Sequence, residues 1–558
     1  MLKIIECVPN FSEGRDRAVI DAIAKAISDI EGVKLLDVDP GADTNRTVVT
    51  FIGTPEGVKE AAFRAIKKAA ELIDMRQHRG AHPRMGATDV CPFVPVRGVT
   101  MADCVAIARE VGARVASELG IPVYLYEEAA TRPERKSLAN IRSGEYEGLP
   151  EKLRDPNWLP DFGEAKFNPK SGATVIGARE FLIAYNVNLN TKDRKLAHDI
   201  AMTIRETGRN KKDEAGNVIK DEHGNPVKEP GLLPATRAVG WYIDEYGQAQ
   251  VSINLLNYKI TPPHVAFDTV CREAEKRGLR VTGSELVGLI PLQAMLEAGR
   301  YYLTKQGKCP GVPEEQLIET AIVSLGLRDL TEFDPAKKII EYQVAELKGP
   351  LVKMDLREFA NELSTDSPAP GGGSVAALAG ALGAALASMV ANLTYGRREY
   401  QSHWSEMESV AVKAQELKDE LLRCIDRDTE AFNAVMAANR LPKKTPDQIA
   451  ERDRAIEAAT KQASLIPLEV MTKSVEVLKL ARVVAEHGNP NAVSDAGVAS
   501  LMARAAVEGA GLNVRINLPG IKDAAFVADL GTQVQQLIDQ ANEFHDHIMK
   551  LVRAKIIQ

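Results

Sequence analysis

Apolar residues recur along the first half of the chain in two alternating rhythms. Short β-rich runs cover 4–9, 33–39, 47–53, 90–96 and 121–126, while 17–30, 57–73 and 102–119 space their apolar residues three and four apart. Val19, Ile20, Ile23, Ala24 and Ile27 illustrate the second rhythm, which is one face of a helix. A related order follows: a strand at 181–189, a helix at 194–206, a hairpin pair at 238–245 and 249–257 around Tyr246-Gly247, a helix at 263–277 and a strand at 281–290. The repetition predicts two similar α/β subdomains with mixed sheets, meeting near 177–180. Between Arg209 and Leu233 a polar stretch carries Gly216-Asn217, Gly224-Asn225-Pro226 and Pro230-Gly231. It reads as an exposed loop or small hairpin, either decoration or a lid.

Beyond Leu330 the pattern changes. Asp334-Pro335 and Gly349-Pro350 are breakers, and helical runs follow at 354–363, 374–395, 403–438, 447–463, 467–486, 492–510 and 520–556. The predicted fold is multidomain, α/β plus all-α: subdomains at 1–179 and 180–335, a linker at 336–352 and a helical domain at 353–558. Single cores rarely exceed about 250–300 residues, so several are expected in a chain of 558. Val375 to Ala391 carries no charge, yet it is mostly Ala and Gly, which gain little from lipid. A close-packed core helix is expected there rather than a membrane span.

A net charge of −7 argues against a general nucleic-acid binder, since neutralising phosphates takes clustered Lys and Arg. The six cysteines are scattered without a CxxC pair, and the N-terminus lacks a long apolar run. The cytoplasm is the expected compartment, with no nucleic-acid or membrane partner.

The first chemical candidate is the loop Gln77-His78-Arg79-Gly80-Ala81-His82-Pro83-Arg84-Met85-Gly86. His78 and His82 have i, i+4 spacing, but Gly80 and Pro83 break the helix that would align them, and no metal is predicted. Arg79 and Arg84 around an imidazole suit a carboxylate-bearing substrate, although a loop histidine is also often merely exposed. Asp39, at a strand end, is a candidate to orient the imidazole or bind a cationic group, or else a turn former. In the second half, Leu421, Ile425, Phe432, Val435 and Met436 share one helical face; Asp428 falls within it, whereas Asp426 and Glu430 point elsewhere. An inward carboxyl is costly unpaired, so Asp428 has either a chemical task or a helix–helix hydrogen bond. The run Gly371-Gly372-Gly373-Ser374 opens a helix and permits close approach of a ligand or of a neighbouring element.

Specific motifs carry a resemblance. Ile5-Glu6-Cys7-Val8-Pro9-Asn10-Phe11-Ser12-Glu13-Gly14, the His82 loop with Asp89-Val90-Cys91-Pro92-Phe93, and Gly172-Ala173-Thr174 through Ala178-Arg179 resemble the formiminotransferase domain over roughly 1–335. Ala369-Pro370-Gly371-Gly372-Gly373-Ser374 and Thr394-Tyr395-Gly396-Arg397-Arg398 resemble the cyclodeaminase domain. Together they are similar to the bifunctional formimidoyltransferase-cyclodeaminase family.

That resemblance implies transfer of a formimino group from N-formimino-L-glutamate to N5 of tetrahydrofolate. Ring closure to 5,10-methenyl-tetrahydrofolate with loss of ammonia would follow. It implies His82 as the acid/base of the transfer and Asp428 as the catalytic carboxyl of the closure. It gives folate the stretch Gly163-Glu164-Ala165-Lys166-Phe167-Asn168-Pro169-Lys170-Ser171-Gly172, although a surface connection would read the same way. In the second domain it gives folate Arg454-Ala455-Ile456-Glu457-Ala458-Ala459-Thr460-Lys461, a composition that a solvated helix face would share. Arg84 and Asp39 remain candidates for the donor substrate. A polyglutamylated folate and a homo-oligomer are further implications. Two rivals stand beside this: a transferase fused to a methenyltetrahydrofolate cyclohydrolase, and a non-catalytic folate-binding scaffold.

Overall fold

A computed structural model describes residues 3–80, 82–214, 216–343 and 349–556, so 344–348 of the predicted linker lie outside the described residues. The chain divides into two units, Met1–Ala294 with Leu325–Ala345, and Met295–Ser324 with Glu346–Gln558.

In the first unit β1 (Ile4–Cys7), β2 (Asn10–Phe11), β3 (Val33–Gly41), β4 (Arg46–Gly53), β5 (Thr88–Arg97), β6 (Val123–Glu127) and β7 (Thr174–Ala178) form one sheet. β1 and β2 both pair antiparallel with β4 and β5, acting as one strand interrupted at Val8-Pro9. The order is therefore β3, β4, β1/β2, β5, extended by parallel β7 and β6. The second sheet runs Thr236–Ile243, Gln248–Leu255, Ile183–Leu189, Val281–Val287. Strand for strand this is the same β-α-β-β-α-β plan, so the two subdomains are topological relatives. Mixed pairing is confined to the first sheet, because every pair in the second is antiparallel. Its two helices, Arg194–Ile204 and Pro263–Glu275, connect strands that are not neighbours, so no parallel pair arises.

Alternation along the strands gives the first sheet two apolar faces. Cys91, Leu125 and Ile176 face a core with Ala62, Phe63, Ile66, Val111 and Val115 from the helices Pro55–Leu72 and Met101–Leu119. Val90, Tyr124 and Val175 face the other way, into a smaller cluster with Met85, Ile141, Leu149 and Leu153. The loops on this second face carry the candidate chemistry. The polar stretch forms a small ladder, Arg209–Asn210 against Lys228–Glu229, and with Arg194–Ile204 it walls a groove of about 1230 Å³.

The second unit is built on Gly372–Thr394, packed against Trp404–Asn439, Pro446–His487 and Val493–Asn517, with Ala524–Ile556 outside. Ala377, Ala384, Ala387 and Ala391 on Gly372–Thr394 are fully buried. By length and composition this helix could cross a membrane, yet 67% of its most apolar window is buried within the unit. Two helices were not anticipated, Leu292–Lys305 and Glu314–Leu325. Residues between them join the helical unit: Cys309 lies in its core, and Asn392 Nδ2 donates to Gly311 O at 2.8 Å. The expected subdomain 180–335 is thus interrupted at 295–324.

The break predicted between 463 and 467 does not occur, since Pro446–His487 runs through Pro467. Proline removes the N–H that would bond the carbonyl four residues back. Here Asn517 Nδ2 donates to that carbonyl, Ala463 O, at 3.2 Å. Replacing Asn517 by Ala strands it, at a cost of about 1–2 kcal/mol. A urea titration followed by circular dichroism should show the helical transition moved to lower denaturant.

Candidate active sites

The 82–89 loop is held from several sides. Ser12 Oγ donates to Gly86 O at 2.7 Å, and Asn45 Nδ2 to Arg79 O at 3.0 Å. Gly86 and Gly172 form an isolated backbone bridge, and a Cβ on Gly172 would lie 2.2 Å from Met85 O. Ala87 N donates to Ser171 O and Ala173 N to Met85 O, so the end of the 163–172 stretch and the His82 loop share backbone bonds.

His82 Nε2 lies 3.1 Å from Arg46 Nη1. Since a guanidinium can only donate, Nε2 is the acceptor and the ring is neutral there. Its Nδ1 is buried without a hydrogen-bond partner among the described residues. Burial, then the cations of Arg46 and Arg142, hold its pKa below the ordinary value, against an opposing pull from Asp89. Asp89 is fully buried, accepts from Met85 N at 2.9 Å and pairs with Arg142. The result is a neutral imidazole in a cationic surround, its basic nitrogen facing Arg46.

The other loop candidates divide. His78 is buried with both ring nitrogens engaged, Nε2 with Asn45 O at 2.8 Å and Nδ1 with Arg84 Nε at 3.3 Å, so it braces the loop. Arg84 is buried and clamped by Glu145 at 2.8 Å and Glu147 at 2.6 Å. That geometry corrects its assignment to the donor substrate: two carboxylates already answer its charge. Asp39 is exposed on β3 and makes no hydrogen bond to the imidazole among the described residues; its field reaches Arg46. Arg46, Asp89 and Arg142 are the neighbours of His82 that sequence reasoning gave no role. Arg46 opens a strand next to Asn45, and only the fold brings it to the loop.

Within 163–172, Gly163 to Lys166 are exposed and Phe167 packs on Tyr146 with ring centroids 5.4 Å apart. Lys170 Nζ is tied to Glu71 O at 2.7 Å. Asn168 Oδ1 accepts from Ser171 N, which shapes the turn. Lys166 has neither an ion pair nor a hydrogen bond among the described residues.

Asp428, on Trp404–Asn439, lies against the first turn of Gly372–Thr394. Ser374 Oγ donates to Asp428 Oδ2 at 3.3 Å, and a Cβ on Gly373 would lie 2.2 Å from Oδ1. The glycine therefore makes room for the carboxyl. Burial raises the Asp428 pKa, and the Ser374 hydroxyl and amide only partly oppose it. Asn513, across Val493–Asn517, would meet a Cβ on Gly372 at 3.3 Å and adds an amide close by. Asp426 lies off the apolar face of its helix and is nonetheless buried, accepting from Leu351 N at 2.9 Å and Val352 N at 3.3 Å. Helical angle alone could not reveal a chain segment crossing there.

The 454–461 stretch makes about two turns in the N-terminal half of Pro446–His487. Arg427–Glu469 and Lys473–Glu420 pairs fix this helix antiparallel to Trp404–Asn439. Lys461 therefore lies within about two turns of the level of Asp428. Its ammonium is paired with Asp523 at 2.8 Å and sits over the Phe526 ring. Arg454 is exposed with no ion pair among the described residues, and Thr460 Oγ1 bonds back to Ile456 O.

Comparison with known proteins agrees along the whole chain. Family models described as "Formiminotransferase domain, N-terminal subdomain", "Formiminotransferase domain" and "Formiminotransferase-cyclodeaminase" match residues 4–179, 184–345 and 355–536. A formimidoyltransferase-cyclodeaminase of Gallus gallus is 45% identical over 558 residues, covering 100% of both chains. A glutamate formimidoyltransferase of Streptococcus pyogenes is 44% identical over 54% of this chain and 94% of its own. A methenyltetrahydrofolate cyclohydrolase of Methylorubrum extorquens is 40% identical over 36% of this chain and 97% of its own. With this full-length agreement, the chain belongs to the formimidoyltransferase-cyclodeaminase family.

Proposed function

We propose that the protein moves a formimino group from N-formimino-L-glutamate to tetrahydrofolate and then closes it to 5,10-methenyl-tetrahydrofolate, releasing ammonia. The observation that carries this is the presence of two different proton-handling groups, a neutral shielded imidazole at His82 and a carboxyl of raised pKa at Asp428. The His82 loop shares backbone bonds with a stretch that the family resemblance gives to folate.

In the first half N5 of the folate attacks the formimino carbon. A new C–N bond forms, the bond to the glutamate nitrogen breaks, and His82 takes the N5 proton and returns it to the departing nitrogen. A lowered pKa keeps His82 unprotonated at neutral pH, the form needed first. Arg46, which has no ion pair among the described residues, offers positive charge for a substrate carboxylate in place of Arg84. In the second half N10 attacks the same carbon and the bond to the terminal nitrogen breaks. Asp428 holds a proton longer than an exposed carboxyl would, gives it to the leaving nitrogen of the formimino cation and takes up the proton that N10 sheds, so ammonia leaves with the carboxyl restored.

We assign residues 1–179 and 180–335 to the transferase, 353–558 to the cyclodeaminase and 336–352 to the join, with 295–324 packed on the helical side. Lys166 and Arg454, both without ion pairs among the described residues, suit a polyglutamate tail. Val375, Leu382, Met389 and Leu393 are exposed at 38–48% along one side of Gly372–Thr394, which supports a homo-oligomer. Six free cysteines support the cytoplasm as the compartment, and histidine breakdown is the pathway this chemistry serves.

Separable loss tests the reading. His82→Ala should lower transfer by about 10²–10⁴-fold while ammonia release from supplied 5-formimino-tetrahydrofolate persists; Asp428→Asn should do the reverse. Loss of both activities from one substitution in a folded chain would overturn it. The similarity to a cyclohydrolase makes one rival concrete: methenyl hydrolysis without ammonia release would favour it. The pH profiles have definite signs. Arg46→Gln removes a cation that depresses His82, so the acidic limb of transfer moves to higher pH. Ser374→Ala removes a donor that holds Asp428 down, so the basic limb of ammonia release also moves up.

A further inference from the structure

We propose that His403, Glu406 and His487 form a site for a zinc-class divalent metal that fastens the start of Trp404–Asn439 to the end of Pro446–His487. His403 ends the short turn Arg398–His403, Glu406 lies in the first turn of the following helix, and His487 is the last residue of its helix. Glu406 Oε2 is 2.7 Å from His487 Nδ1 and 3.5 Å from His403 Nδ1. The two imidazoles stack, with centroids 4.6 Å apart and planes 21° from parallel.

Two imidazoles that present the same nitrogen to one carboxylate oxygen are more than an ion pair needs. The His487 bond satisfies hydrogen bonding, whereas His403 at 3.5 Å gains little from that oxygen. A cation between them engages all three. Zinc–ligand bonds of about 2.0–2.2 Å place tetrahedral ligands about 3.3 Å apart. The three ligand atoms already lie within 4.8 Å of one another, so small side-chain rotations close the set. Side-chain exposures of 37–41% leave room for that rotation and for a water as fourth ligand. Two imidazole nitrogens and one carboxylate favour zinc, cobalt or nickel over magnesium or calcium, which take oxygen ligands.

The site would act on structure, not on the reaction. Glu406 and Asp428 are 22 residues apart on one helix, about 33 Å along its axis. The neighbouring segment is already held around Trp404, whose ring lies tilted by 31° against Tyr395 with centroids 5.5 Å apart and whose Nε1 donates to Arg397 O. A metal would lock that segment to the far helix.

The test uses the full-length chain after treatment with a chelator. Calorimetric titration with Zn²⁺ should show one ion per chain that Glu406→Gln and His487→Gln weaken at least about tenfold. Co²⁺ should give visible absorption of a low-coordinate site in the unmodified chain and lose it in both variants. Zinc should raise the midpoint of thermal unfolding in the unmodified chain alone, with transfer and ammonia release unchanged in the variants. His403→Gln serves as a third variant should either of the others fold poorly. Equal zinc affinity in all chains, or no zinc uptake by the unmodified one, would reduce the cluster to an ion pair and end the proposal.

Discussion

The helical unit depends on one property of Gly372–Thr394, its lack of side-chain bulk. Gly380 faces Ser474 Oγ, and Gly383 faces Ala499 O, at distances where a Cβ would be 2.7 and 2.9 Å away. Neighbouring helices therefore approach backbone to backbone, and dispersion contacts accumulate along the whole helix. At its first turn the same absence has a chemical result. The space left at Gly373 is where the Asp428 carboxyl lies, sheltered enough that burial outweighs the Ser374 bonds.

The first unit solves a related problem in the opposite way. Its sheet gives one face to a broad helical core and keeps the other for loops. Charged groups on that second face are sorted in pairs: Arg84 answers Glu145 and Glu147, and Arg142 answers Asp89. What remains around His82 is a positive field without a bonded carboxylate. Such a surround disfavours a positive charge on the ring, so the imidazole stays neutral.

Most of the fold could be read from periodicity, because each element buries a single face. The strands at 33–39 and 47–53 and the helix at 102–119 match Val33–Gly41, Arg46–Gly53 and Met101–Leu119 closely. Failures occurred where a distant residue changed a local rule. Pro467 reads as a breaker until Asn517 takes up the stranded carbonyl. Asp426 reads only as lying off the apolar face, and the segment at 351–352 is what buries it. The candidate sites followed the same division. His82 and Asp428 were visible through motif and helical angle, whereas Arg46 and Asp89 take their place through strand pairing. His403 and His487 gave no pattern because 84 positions separate them.

The backbone bridge between Gly86 and Gly172 ties the loop of the base to the stretch offered to folate, without using a side chain from either. The exposed residues 164–166 stand outside that bridge, so exchanging their side chains leaves the spacing between the two segments unchanged.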